Sequence, residues 1–179
     1  MKKILLLFIA IILSIPILSF ADTVTFRNIP QVDICFSPRG GCTEAILSTL
    51  DNAKTEILVQ AYSFTSAPIA QALVKAHKRG VKIQVILDKS QKKERYTSAT
   101  FLSNAGIQTF IDDAHAIAHN KVMIIDGETV VTGSFNFTKA AEERNAENLL
   151  IIKSKDMAKL YLSNWAKHKE HSGAYERPD

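Results

Sequence analysis

The stretch 118–136, A-H-N-K-V-M-I-I-D-G-E-T-V-V-T-G-S-F-N, constrains this chain most. Its middle is apolar and rich in β-branched residues, and Asp126-Gly127 interrupts it once. Asp-Gly supplies the positive φ angles that a type I′ turn needs, so the spacing predicts a β-hairpin with a two-residue loop. Such a turn sets Ile125 opposite Glu128, His119 opposite Ser134 and Lys121 opposite Thr132. Directly paired residues share a face of a sheet. His119, Lys121, Ser134 and Asn136 are therefore expected to project together near the open end of the hairpin. They bring an imidazole, a fixed cation and two neutral polar groups to a spot the size of a phosphate. A solvated strand face can hold the same residue types. Against that, Val122 to Ile125 with Val130 and Val131 make both faces apolar, which marks a buried central hairpin. Polar groups at the end of a buried strand need partners.

Around this hairpin, apolar strand-like runs alternate with helical periodicity. Strands are expected at Val32 to Phe36, Glu56 to Tyr62, Val81 to Leu87, Ile107 to Ile111 and Glu147 to Ile152. Helices are expected at Thr43 to Lys54, from an N-cap at Ser66 to Arg79, and at Ser98 to Ala105, Thr138 to Arg144 and Lys155 to about Lys169. The tail from His171 reads as polar and loose. Strands alternating with helices imply an α/β fold. The hairpin makes the sheet mixed, so the expected architecture is an α-β-α sandwich. No repeat or linker marks a second folded domain.

The pattern H-x-K-x4-D-x6-G-S-x-N, from His119 through Lys121, Asp126, Gly133 and Ser134 to Asn136, resembles the HKD signature of the phospholipase D superfamily. The following G-S-F-N-F-T-K-A-A-E-E-R-N-A-E-N is similar to the small single-motif bacterial endonucleases of that superfamily. The resemblance runs from about Val32 to about Trp165. It implies a phospholipase D-like fold and a phosphodiesterase working through a phosphohistidine. His119 would attack, with Glu147 as the carboxylate that orients its ring. Lys121, Ser134 and Asn136 would hold the phosphoryl oxygens. Lys121 supplies the positive charge, so no metal and no cofactor is expected. One histidine cannot both bond to phosphorus and protonate the departing alcohol. The resemblance therefore implies a homodimer with the site across its two-fold axis. Asp126 falls in the turn and, with Gly133, reads as structural.

The same residues bear other readings. His115 and His119 stand four apart, but they lead into a strand rather than lie on a helix, which argues against a zinc pair. His77, His168 and His171 read as solvated. Trp165 and Tyr161 read as core, and Phe135 and Phe137 as packing beneath the site.

Residues 1–21 have the form of a secretory signal peptide: Lys2-Lys3, an apolar run from Ile4 to Leu18, then Ser19-Phe20-Ala21. An uncleaved anchor is the alternative reading. Residues 22–179 would form the single catalytic domain, exported to the periplasm or secreted. Removing Lys2 and Lys3 from 22 basic residues leaves 20 against 18 acidic ones, a net +2. That charge does not by itself imply a nucleic-acid partner. Lys75-Lys78-Arg79 and Lys89-Lys92-Lys93-Arg95 cluster and suit polyanions or lipid headgroups, or simply a solvated face. In an exported protein Cys35 and Cys42 read as a disulfide, whose short loop contributes about 2.5 kcal/mol in the chain-entropy model. Three functions follow: an endonuclease of low sequence specificity, a phospholipase D releasing headgroups, or a non-catalytic module binding nucleic acid or membrane. The intact His119 and Lys121 speak against the third.

Overall fold

The computed structural model describes residues 25, 30–92 and 97–176; the expected leader, Lys93 and Arg95 lie outside them. Eight strands form one mixed sheet, in the order β1-β7-β6-β5-β2-β3-β4-β8. The strands are β1 (Gln31–Ser37), β2 (Glu56–Ala61), β3 (Lys82–Asp88), β4 (Gln108–Asp112), β5 (Lys121–Ile125), β6 (Thr129–Gly133), β7 (Glu147–Lys153) and β8 (Gly173–Ala174). The helices are α1 (Cys42–Asp51), α2 (Ala67–Lys78), α3 (Ser98–Asn104), α4 (Lys139–Glu143) and α5 (Lys155–His171). The parallel pairs β2-β3 and β3-β4 follow from helical crossovers, and the hairpin adds antiparallel pairing at the centre. Helices cover both faces, as the α-β-α expectation requires.

The core has two layers. On one face Ile57, Val59, Val85, Met123, Ile125 and Val131 pack with Ile46, Leu50, Ile69, Leu73 and Leu102 of α1, α2 and α3. On the other, Leu58, Ile86, Val122, Ile124 and Val130 pack against Ala158 and Trp165 of α5. This division is the period-2 alternation of the strands made visible. Trp165 is core, and its indole N–H donates to the Val59 carbonyl at 3.1 Å. On the edge strand β1, Ile34 and Phe36 remain 57% and 67% exposed.

The hairpin forms with its turn as expected at Asp126 (φ 53) and Gly127 (φ 64), and Glu128 N–H donates to the Ile125 carbonyl at 3.1 Å. Its register is one residue off the expectation: Ile125 faces Thr129, Ile124 faces Val130 and Met123 faces Val131. Glu128 is the extra residue of the loop, and its carbonyl accepts from Ser154 N–H at 2.8 Å, at the start of α5. A slip of one exchanges faces, so His119 is not set against Ser134, nor Lys121 against Thr132. β6 also ends at Gly133 (φ 144), where the alternation stops before Ser134 and Asn136. A Cβ on Gly133 would lie 2.2 Å from the Asn148 carbonyl oxygen, so only glycine fits.

Cys35 and Cys42 are joined as a disulfide, with Cα atoms 5.6 Å apart. It ties β1 to the start of α1. There the Glu142 carboxylate accepts from Gly41 and Thr43 N–H at 3.0 and 2.7 Å, an anion at a helix N-terminus.

The C-terminal segment departs from the loose tail expected. Gly173–Ala174 pairs with β4, and Tyr175 is buried, its hydroxyl sharing a hydrogen bond with Thr100 at 2.8 Å. His168 and His171 are not free in solvent. His168 Nδ1 lies 2.7 Å and His171 Nε2 3.3 Å from Asp112 Oδ2. Burial pushes the Asp112 carboxyl up, but hydrogen bonds from His168, His115 and His171 outweigh it and hold the group at about 2.

Candidate active site

The site end of the sheet is set by topology. β2 and β3 finish there, β5 and β7 begin there, and β6 ends there. The carboxyl ends of parallel strands are where open α/β sheets place ligands. Lys121 opens β5 opposite Ala61, the last residue of β2. Glu147 opens β7, and Ser134 follows β6 directly.

His119 is exposed on the loop before β5. Three contacts hold that loop. The buried Asp88 carboxylate accepts from Ala118 N–H at 2.7 Å. Tyr62 N–H donates to the Asn120 carbonyl at 2.8 Å. The His119 ring lies 4.6 Å from the Tyr62 ring, centre to centre. Asp88 and Tyr62 were not singled out from the sequence, although each is the polar residue that closes an apolar strand run.

Lys121 is the charged group of the site and only 7% exposed. Its Nζ donates to the His119 carbonyl at 2.8 Å and sits 5.2 Å from the Tyr62 ring centre. Burial lowers its pKa, and the charge of Glu147 partly opposes that. A desolvated ammonium with donors to spare is a built anion site. Glu147 itself accepts from Asn145 Nδ2 at 3.1 Å and acts electrostatically on Lys121.

Ser134 Oγ accepts from Asn148 N–H at 3.0 Å, which locks the chain after Gly133 onto β7. Asn136 Oδ1 is buried without a hydrogen-bond partner among the described residues. Most buried polar atoms are paired, so this oxygen calls for an explanation. Phe135 and Phe137 flank it, fully buried, and Phe137 packs edge-on against Phe64 at 5.8 Å. Beside Tyr62 opens a recess of about 440 Å³, lined in part by Lys89, Lys92 and Ile117.

Asp126 stands at the far end of β5. Its carboxylate accepts from Lys54, Thr55 and Glu56 N–H at 2.9, 2.8 and 3.0 Å, and from Thr55 Oγ1 at 2.8 Å. Burial opposes its ionisation, but these donors prevail and lower its pKa. A larger hollow of about 760 Å³ lies at this end, lined in part by Asp126 and Lys155. The Asp126 carboxylate is already taken up by backbone N–H groups and the Thr55 hydroxyl, so size does not mark the candidate site.

Residues 46–168 match the family of the cardiolipin synthase PLD-like domain. The chain is 46% identical over 139 residues to a phospholipase D of Rickettsia felis, covering 78% of this chain and 70% of that protein. It is 30% identical to the mitochondrial cardiolipin hydrolase of Canis lupus familiaris, of which it spans about half, 52%. Among solved structures it superposes on Nuc from Salmonella typhimurium, a phospholipase D family member. That match has a TM-score of 0.79 and 39% identity, covering 83% of this chain and 99% of that one. The chain belongs to the phospholipase D superfamily. Within it, the protein is a phosphoric diester hydrolase.

Proposed function

We propose that the protein is an exported nuclease of low sequence specificity that cleaves nucleic-acid phosphodiester bonds at a site shared by two copies of the chain. The observation that carries the reading is the buried Lys121 ammonium next to the exposed imidazole of His119. An imidazole nitrogen of His119 attacks phosphorus while the bond to the leaving oxygen breaks. The partner subunit's His119 gives its proton to that oxygen, then takes one from water, which attacks the phosphohistidine and frees the imidazole. Lys121 balances charge on the non-bridging oxygens, and Ser134 and Asn136 add polar contacts. Glu147 sustains the charge of Lys121 and helps orient the imidazole.

Two features support the substrate and the assembly. Lys89 and Lys92 line the recess beside the site and offer cations to a polyanion, against the carboxylates of Asp88 and Asp113. Phe36 and Ile34 form an exposed apolar row, and Phe36 lies opposite Asn148, next to Glu147. A second copy seated there would cover apolar surface and complete the site. The basic and apolar leader and the Cys35–Cys42 bond support export.

A phospholipid headgroup is the second reading, favoured by Ile117, 57% exposed at the same recess, and by the names of the Rickettsia relatives. Purified protein incubated in parallel with plasmid DNA and phosphatidylcholine vesicles separates the two. Nicking of the plasmid is expected, including in EDTA so long as circular dichroism shows an intact fold. Choline release without nicking would overturn the nuclease reading. Full activity at dilutions where sedimentation shows only monomer would overturn the shared site.

A further inference from the structure

Away from this site, four potential ligands meet where the end of β4 approaches the end of α5. Asp112 closes β4, His115 follows in the loop, and His168 and His171 come from the last turns of α5. In sequence they are two spaced pairs, Asp112-x-x-His115 and His168-x-x-His171. We propose that these four residues bind one zinc-class transition-metal ion in a closed structural site. The ion would clamp the C-terminal end of α5 to the loop that carries His119.

The geometry carries this. His115 Nδ1 lies 3.0 Å from Asp112 Oδ1, and His168 Nδ1 and His171 Nε2 lie 2.7 and 3.3 Å from Oδ2. One donor atom from each residue falls within 4.8 Å of all the others. Tetrahedral zinc, with bonds of about 2.0–2.1 Å, sets its donors about 3.4 Å apart and imidazole centres about 5.2 Å apart. The three ring centres here are separated by 4.8, 5.1 and 5.4 Å.

Hydrogen bonding alone gives a weaker account. One histidine suffices to neutralise one carboxylate. Three imidazoles gathered on one carboxylate, each with a ring nitrogen turned toward it, suit a cation. The Asp112 side chain is fully buried, while those of His115 and His171 are 45% and 36% exposed, which leaves a path for an ion. Three nitrogens and one oxygen suit zinc, cobalt or nickel rather than magnesium or calcium. Four protein ligands leave no open coordination position, so the ion would hold structure and take no part in bond cleavage. The loop it would grip is already tied at His115, whose carbonyl accepts from Lys89 Nζ at 2.8 Å, and at Ala118 by Asp88. His119 is the next residue.

The test uses the full chain stripped with chelator and dialysed. Titration with zinc chloride by calorimetry is expected to show one ion per chain and a rise in Tm. Cobalt(II) is expected to give the visible absorption of a tetrahedral site. His171→Gln, at a half-exposed position, should weaken zinc binding by more than about 100-fold, beyond the cost of losing an outer-shell partner. The His119→Ala variant should bind zinc as the parent does. Failure of the stripped parent chain to take up a stoichiometric ion would overturn the site without touching the phosphodiesterase reading. Unchanged affinity in both His171→Gln and His168→Gln would do the same.

Discussion

Lys121 and Asp126 bracket a single five-residue strand, yet their surroundings are opposite in kind. At the Asp126 end, four hydrogen bonds converge on one carboxylate, and the group is held more acidic than usual. At the Lys121 end, an ammonium is buried against its own interest. The first arrangement is what a stable fold selects. The second costs stability and makes sense where an anionic substrate supplies the missing partner. One motif thus holds a joint at one end and the candidate site at the other. Variants at the two ends should separate activity from stability.

The largest effect is expected at His119. His119→Ala should lower turnover by at least about ten-thousandfold. Its side chain is exposed, so Tm should stay within about 2 °C of the parent and nucleic-acid binding should persist in a filter or anisotropy assay. Measurable parent-like cleavage would remove His119 from the reaction.

Lys121→Met comes next. Losing the charge that faces the phosphoryl oxygens should cost about 10²–10³-fold in kcat. Removing a desolvated ammonium should leave Tm unchanged or raise it, the reverse of an ordinary core substitution. Because burial lowers its pKa from 10.5, the alkaline limb of the parent's activity profile should also fall below that pH. A marked drop in Tm for Lys121→Met would break the comparison.

The family motif was legible in the sequence because its residue types are few and their spacing is long. Elements such as β7 and α5 were legible because apolar periodicity survives their burial. The register was not, since Asp126-Gly127 fits a two-residue and a three-residue loop alike, and the extra residue Glu128 is seen only in the observed pairing of Ile125 with Thr129. Asp88 and Tyr62 escaped for a similar reason. A polar residue at a strand end becomes a positioning group only when the topology brings a loop to it. His168 and His171 read as solvated because helical periodicity shows a face but not what docks there. The two-residue strand β8 is too short to leave a pattern.

Asp126→Asn should do the opposite of Lys121→Met. It should destabilise by about 1–3 kcal/mol through broken hydrogen bonds, while kcat of the folded enzyme changes little. The folded pKa lies below the ordinary 3.8, so the stability the charge contributes is full above that pH. It is lost as pH falls through the folded value. The Tm gap between parent and Asp126→Asn should therefore be constant from pH 7 to about 5 and narrow below 3.8. A gap that widens in acid would show that Asp126 acts through something other than its charge.

Ser134 is where the division between the two ends is thinnest, and its effect should be the smallest. Its hydroxyl faces the site end, yet it already has a structural task, accepting from Asn148 N–H at 3.0 Å. Ser134→Ala leaves that N–H without its partner, but the position is exposed and water can replace the hydroxyl. The cost in stability should be about 0.5 kcal/mol, the low end for a hydrogen bond. If the hydroxyl also contacts the phosphoryl group, kcat should fall by about tenfold, as for loss of a neutral donor. A variant with lower Tm and unchanged kcat would assign Ser134 to the joint after Gly133 rather than to the reacting centre. The anion site would then rest on Lys121 and Asn136.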